Sequence, residues 1–587
     1  MKYLKLYSLV GLLTASLVNA SRSDFYGKED NRPKLFKILD DHVGTIKINL
    51  DEEVWKTMKK KTILQPFNAQ SKGEKYGTNN ATMEFFVKGT DNRVKLGPGS
   101  FVFQLGGKGS RNFSKPGYNI KMTNDLLYDV KVLRLRSNIR DNSVMREKLS
   151  SDMMYKMGIP TTSTNYVNVE VNGEDLGLYI LTNKINKQFI KRYFGDADTA
   201  NLYECKNVRT RFEDNRVGKY CNNSKDELVD DRDDIMAFSN AVNNAKSIKD
   251  LEKIIDVDKM LRSLAYEFIT VSWDHFLGYS HNYFWYKRND GKWMMLHNDF
   301  DETWGQDYAP FLFLLYNDYA DKSYIPSQDI LNVPNISIRD LELDHKIMKY
   351  LVYDDDTHFR RVIGEIVKEV FNPKVLFPRI DEIGELIRDD VANSRTYDKN
   401  GHAKGCFNVL GLDPKWNITH WKDGINFGNW NSNRSVTTSY GLKFFIQERF
   451  RYLCHTYGID PNTFELIEPR PKVSYWGIKN KYKASFVGKE FLYDEFVKFD
   501  YPNLEKEDYM QKSYNANPEH HDKPTNYKLP EFRYVLGNKF RPKSILNLIG
   551  QFFDLNKLGT YTGPARKMME HYIGSIDYYL ESLGLKK

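Results

Sequence analysis

The stretch SWDHFLGYSHNYFWYKRNDGKWMMLHNDFD, Ser272 to Asp301, decides how the rest of the chain reads. Tyr283 to Lys287 and Lys292 to His297 are strand-like runs, and Asn289-Asp290-Gly291 between them is a strong hairpin turn. If Arg288 pairs with Lys292, Asn282 falls opposite Asn298. Antiparallel neighbours lie about 5 Å apart, so the hairpin would bring Asn282 beside Asp299. Asp274 stands shortly before, just beyond a helix of mixed apolar and polar faces, Val257 to Val271.

An Asp, then an Asn at the start of a hairpin, then Asp-Phe-Asp at its end is a set of hard oxygen donors. Such donors suit Mg²⁺ or Mn²⁺ carrying phosphates. Protein kinases use the same order of parts: a catalytic Asp, a metal-binding Asn, two strands and a second metal-binding Asp. The plain alternative is a structural hairpin with solvated carboxylates at its mouth. His281 and His297 flank the same hairpin and allow a metallohydrolase site, although no His-x-His or His-x-x-x-His spacing supports it. Asp299 with a distant acid would allow a retaining glycosidase, but nothing identifies the partner.

Outward from this segment the chain changes character. Residues 43–50, 82–88 and 100–104 alternate as strands, and Tyr166 to Leu181 reads as a hairpin turning at Asn172-Gly173. Residues 142–157 read as a helix closed by Gly158-Ile159-Pro160. Helical periodicity returns over 340–353, 358–370 and 376–391. Strands first and helices later predict an α+β fold. Residues 209–235 read as a charged, irregular, exposed insertion, and a second, aromatic-rich one runs from Trp304 to about Pro334.

The N-terminus reads as a secretory signal: Lys2 and Lys5, an apolar Leu9 to Leu17, and Val18-Asn19-Ala20 before a cut at Ser21. No later segment has the roughly 20 apolar residues of a transmembrane helix, so no membrane anchor is expected. Six sequons agree with that route: Asn80, Asn112, Asn222, Asn335, Asn417 and Asn433. Four cysteines, Cys205, Cys221, Cys406 and Cys454, predict two disulfides in an oxidising compartment, with Cys205–Cys221 and Cys406–Cys454 as the local pairing among three. The net charge of +8 includes Lys2 and Lys5; what remains is modest for this length, and no compact basic block points to nucleic acid.

The central segment resembles the CotH-type kinases, a family named for a spore-coat protein. Their pattern is matched by Asp274, Asn282-Tyr283-Phe284, Gly291-Lys292-Trp293, Asp299-Phe300-Asp301 and Trp304-Gly305, with Asn298 where a Trp is usual. Upstream, Gly107-Lys-Gly-Ser-Arg111 with Lys115, Tyr118 and Lys121 resembles the family's Gly-Ser loop and basic strand. Asp141 to Asp152, with Arg146, resembles its Asp-x-Ser-x-x-Arg helix. Val171 to Tyr179 and Leu202 to Lys206 also fit in order. The match covers about residues 40–460. It divides the chain into a signal peptide (1–20), an N-terminal segment (21–40), an atypical kinase-like domain (41–460) with insertions near 209–255 and 304–340, and a C-terminal extension (461–587).

The resemblance implies an ATP- and Mg²⁺- or Mn²⁺-dependent protein kinase acting on secreted or surface proteins. Asp274 would orient or accept the substrate hydroxyl proton. Asn282 and Asp299 would hold metal, with Asp301 behind them or as a further ligand. Gly107, Gly109, Ser110, Lys121, Arg146 and Lys206 would meet the nucleotide. Arg146 is ambiguous, since an Arg on an amphipathic helix is more often a structural ion pair than a phosphate contact. Two departures bear on this: Asn183-Lys184 stands where many relatives carry a Glu, and the Asn112 sequon lies in the Gly-Ser loop. Fungal members are implicated in host-cell contact, so a binding protein that keeps the fold for adhesion is the rival reading.

Overall fold

In the computed structural model, residues 22–470 are described apart from 28–29, 64–75, 309–332, 343–344, 433–436 and a few single positions. The segment read as a signal peptide, most of the aromatic-rich insertion, Asn433 and the C-terminal extension beyond residue 470 fall outside the described residues.

The N-terminal half is one mixed sheet. Its strands are β1 (Gly44–Leu50), β2 (Gly77–Thr78), β3 (Ala81–Phe86), β4 (Arg93–Leu96), β5 (Phe101–Leu105), β6 (Tyr118–Met122), β7 (Val132–Arg136), β8 (Thr164–Val171) and β9 (Glu174–Asn183). The order is β2-β5-β6-β7-β9-β8-β1-β3-β4, with only β1–β8 parallel. Alternation with period two sends Ile46, Phe85, Phe103, Ile120, Leu133, Leu135 and Leu181 into one core on one face. The opposite face is divided. Along β8 and β9 it gives Tyr166, Leu178 and Ile180 to a second, larger core. Along β6 and β7 it presents Asn119, Lys121, Arg134 and Arg136, since Asn119 pairs with Arg134 and Lys121 with Val132.

Helix α1 (Arg146–Lys156) crosses this face, placing Leu149, Met153 and Met154 in the larger core. A second sheet joins β10 (Leu202–Cys205), β11 (Asn222–Asn223), β12 (Tyr283–Lys287) and β13 (Trp293–His297) in the order β11-β10-β12-β13. The helices that follow are α2 (Val257–Thr270), which packs on β13, α3 (Thr357–Glu369), α4 (Pro373–Ser394), which packs on β9, and α5 (Leu442–Tyr457). The fold is α+β, as the sequence predicted. The helix expected over 340–353 is instead a short helix at Ile338–Leu341 and a five-residue π turn at Lys349–Tyr353.

Residues 209–235 are not the loose insertion expected. Phe212, Val217 and Ile235 are buried, and Cys205 and Cys221 close a disulfide that ties the segment to β10. The second expected disulfide does not form. Cys406 and Cys454 are both buried free thiols. Cys454 packs within the helical core on α5, whereas Cys406 sits beside the Ser114 hydroxyl, 3.4 Å away.

Candidate functional site

The hairpin register is the one the turn dictates. Tyr283 pairs with His297 and Lys287 with Trp293, and the Arg288 N–H donates to the Lys292 carbonyl at 2.9 Å. Asn282 therefore meets Asn298, whose N–H donates to the Asn282 carbonyl at 3.3 Å. Asn282 and Asp299 both adopt left-handed backbone, φ +57° and +73°. Such conformations in non-glycine residues gather where a fold over-determines a site.

Helix α2 delivers Asp274. It starts on the Asp256 cap, whose side chain accepts from Lys259 N–H, and ends at Val271, also left-handed. The loop beyond is clamped by Glu267, whose buried carboxylate accepts the Phe276 and Leu277 N–H groups at 3.2 and 2.6 Å. Gly278 is required here, because a Cβ would lie 2.0 Å from the Trp273 carbonyl oxygen. So held, Asp274 accepts the Asn282 amide N–H at 2.8 Å with one oxygen. Its other oxygen lies 3.2 Å from His281 Nδ1. Burial alone would lower the His281 pKa, but the Asp274 charge and hydrogen bond outweigh it and raise it. The Asn282 nitrogen is thus committed to Asp274, which leaves its side-chain oxygen for another partner.

Opposite, three carboxylates converge from two elements. Asp299 and Asp301 follow the hairpin, and Glu147 comes from the first turn of α1. Oxygens of all three lie within 4.8 Å of one another. Glu147 also accepts the Phe300 N–H at 3.1 Å. The countercharge is Arg136 at the end of β7, 2.5 Å from Asp299, 3.0 Å from Asp301 and 3.4 Å from Glu147. Arg134 adds a longer contact to Asp299, 3.5 Å. Burial disfavours charge on all three acids. At Asp299 the two arginines overcome it and hold the carboxyl far below the usual range. At Asp301 Arg136 does not overcome it: burial, with Asp299 and Glu147 as like-charged neighbours, pushes it up to about 7. A hard, anionic oxygen set of this kind fits a divalent Mg²⁺ or Mn²⁺ ion.

Sequence reasoning missed Glu147, Arg134 and Arg136. Glu147 sits next to Arg146, the residue singled out, and helical geometry turns neighbours to different faces. Arg146 itself is fully buried. It pairs with Asp141, donates to Ser143 Oγ at 3.1 Å and to the Tyr440 carbonyl at 2.5 Å. Its guanidinium pins the turn before α1 and has no exposed face for a phosphate. Alternation along β7 could have found the arginines, since Arg134 and Arg136 share a face.

The remaining candidates lie on separate elements. Lys121 is exposed on the sheet face that carries Arg134. Lys206 is exposed, ion-paired with Glu204 at 2.6 Å, and its backbone bonds the His281 ring. Gly107 is left-handed, and a Cβ there would collide with Ser110 Oγ at 1.9 Å. Gly109 and Ser110 open a tight helical turn, Gly109–Asn112.

His297 does not join a metal site. It is fully buried and bonded to Glu267 at 2.6 Å, on the core side of the hairpin. Trp304, at the start of the aromatic insertion, is a buried anchor: its indole donates to Ser150 Oγ at 3.0 Å. Among the sequons, Asn80 and Asn417 are exposed, and Asn222 is half-buried beside Arg232. Asn112 is a correction: it and Ser114 are buried, which closes that sequon to a glycan in the folded chain.

The α+β fold brings the sheet, the first helix and the hairpin together at one cluster of carboxylates. The family model described as CotH kinase protein matches residues 103–453, more than half of the chain, and the chain belongs to that family. Among curated proteins it is 27% identical over 208 residues to the inner spore coat protein H of Bacillus subtilis, covering 34% of this chain and 57% of that protein. It is 27% identical over 302 residues to spore coat protein homolog 1 of Rhizopus delemar, covering 47% and 44%. Invasin CotH3 of Rhizopus delemar matches at 24% over 317 residues, half of each chain. The chain thus spans about half the length of these relatives. No helix among the described residues is long and apolar enough to cross a membrane.

Proposed function

We propose that this chain is a secretory-pathway protein kinase, dependent on ATP and Mg²⁺ or Mn²⁺, that phosphorylates Ser or Thr on secreted or surface proteins. The supporting observation is that the hairpin sets Asn282, whose amide holds Asp274, against Asn298, the neighbour of Asp299 in the Glu147/Asp299/Asp301 cluster. A surface-binding protein would need neither the Asp274–Asn282 contact nor the cluster.

In this reading Asp274 takes or orients the substrate hydroxyl proton, its carboxylate aimed by Asn282 and His281. Asn282, Asp299, Asp301 and Glu147 hold the metal, which neutralises charge on the nucleotide phosphates when bound. Arg136 fixes the carboxylates in position. Lys121, Arg134 and Lys206 supply positive charge around the transferred group, and the Gly107–Ser110 turn offers backbone donors.

Purified protein is incubated with labelled ATP, Mg²⁺ or Mn²⁺ and a panel of secreted proteins, alongside Asp274→Ala and Asp299→Ala. Metal-dependent transfer lost in both variants supports the reading. No transfer, and no thermal shift with nucleotide plus metal, refutes it. The relatives named as invasins favour the rival, a surface-binding protein, which would retain its binding in both variants.

A further inference from the structure

A cavity whose lining includes none of Asp274, Asn282, Glu147, Asp299 and Asp301 opens between β9, the end of α4 and the 395–416 loop. Its walls include Lys115, Ser137, Leu178, Ser394, Arg395 and Cys406, and its volume is about 60 Å³. One water needs about 10–15 Å³ on this measure, so the space suits a tetrahedral oxyanion.

Its charge is unbalanced. Lys115 is 5% exposed and donates to the Leu178 carbonyl at 3.1 Å and Ser394 Oγ at 3.3 Å, with its ammonium over the Tyr179 ring. Arg395 donates to the carbonyls of Asn142 and Asn417 at 2.8 and 3.1 Å. All these acceptors are neutral, and among the described residues neither cation has an ion-pair partner. The carboxylate on the wall, Asp413, is already paired with Lys415 at 2.6 Å. Lys404, also on the wall, is paired with Asp175 at 2.7 Å. Burial lowers the Lys115 pKa to about 8, a cost that a bound anion would relieve. Burying Lys115 without a counter-ion is expensive, Arg395 lies half-buried beside it, and a pocket open between them is where a counter-ion can arrive.

We propose that this cavity is an oxyanion pocket that takes a phosphorylated side chain, separate from the catalytic cleft. The anion would bridge Lys115 and Arg395, with the Ser137 and Ser394 hydroxyls as further donors. Arg395 grips the Asn142 carbonyl in the turn that leads into Glu147, so occupancy would stiffen the segment from Arg136 to Glu147. Binding does not depend on the kinase reading.

Calorimetric titration of the full chain with N-acetyl-phosphoserine amide, inorganic phosphate and the unphosphorylated amide tests this, in wild type, Lys115→Met and Ser137→Glu. Ser137→Glu places a carboxylate at the wall without removing a buried partner, and near-ultraviolet circular dichroism verifies the fold of each variant. The expected result is one phosphoserine per chain, at least tenfold weaker in both variants, and no binding of the unphosphorylated amide. Inorganic phosphate binding equally well supports the oxyanion site and assigns it to the free ion. Absence of binding by either phosphate, or binding that survives both variants and is lost in Arg134→Ala, overturns the proposal.

Discussion

The Arg136 guanidinium stands 2.5 Å from an Asp299 oxygen and reaches Asp301 and Glu147 with the same head. One cation from the sheet therefore holds together three acids from the hairpin and α1. Loss of one partner from a buried ion cluster costs about 3–5 kcal/mol. Arg136→Met should lower the melting temperature without metal, and Mn²⁺ should recover part of that loss by replacing the missing charge. Differential scanning calorimetry with and without Mn²⁺ reads both effects; a variant as stable as wild type would show the cluster needs no countercharge.

Glu147 is the acid that α1 contributes. Glu147→Gln keeps its shape and its contact to the Phe300 N–H but removes a negative donor. Metal affinity should fall by at least about tenfold, with the fold unchanged. Isothermal titration with Mn²⁺ measures this, and unaltered affinity would exclude Glu147 as a ligand.

His275 is buried between Ser272 Oγ at 2.6 Å and the Asn298 carbonyl at 2.9 Å. Burial, then the neighbouring His297, lowers its pKa to about 4 against the attraction of Glu267. The unfolded chain takes up the proton near pH 6.5. The neutral ring therefore stabilises the fold fully above about pH 6.5, and that stability is lost as pH falls toward 4. At about 1.4 kcal/mol per pKa unit the loss is about 3 kcal/mol. Glu267, raised to about 7 chiefly by burial, acts with the opposite slope. The comparison is therefore the difference in urea-unfolding pH slope between wild type and His275→Gln, which should flatten by close to one proton. An unchanged slope would mean His275 is already charged in the fold.

Alkylation in denaturant without reductant should label two cysteines per chain, Cys406 and Cys454, and native protein should resist labelling at both. The Cys205–Cys221 bridge spans 16 positions, for which loop closure is worth about 3 kcal/mol. Cys205→Ser with Cys221→Ser should lose a comparable amount in denaturant melts. Four labelled thiols, or none, in mass spectrometry would contradict the pairing.

Much of the site was legible because its parts are local. Asn289-Asp290-Gly291 sets the hairpin register, and the register sets Asn282 against Asn298. Periodicity likewise located α2 and the β8–β9 hairpin. Arg146 stood out through its place in a motif, yet a guanidinium that pins a turn and one that meets phosphate look alike in sequence. The Cys406–Cys454 pairing failed for a similar reason: nearness along the chain says nothing about which core each thiol enters.

The sequence by itself determined the α+β class, the family resemblance, the hairpin flanked by Asn282, Asp299 and Asp301, and the helix that leads to Asp274. Turn chemistry and side-chain period act over a few residues and are written there directly. Only the tertiary structure decided that Glu147 and Arg136 complete the cluster, that Arg146 and His297 turn inward, and that Lys115 and Arg395 share a cavity. Those outcomes depend on how α1 crosses the sheet and where α4 ends. Such placements come from burying two large apolar faces at once, which no short stretch of sequence encodes.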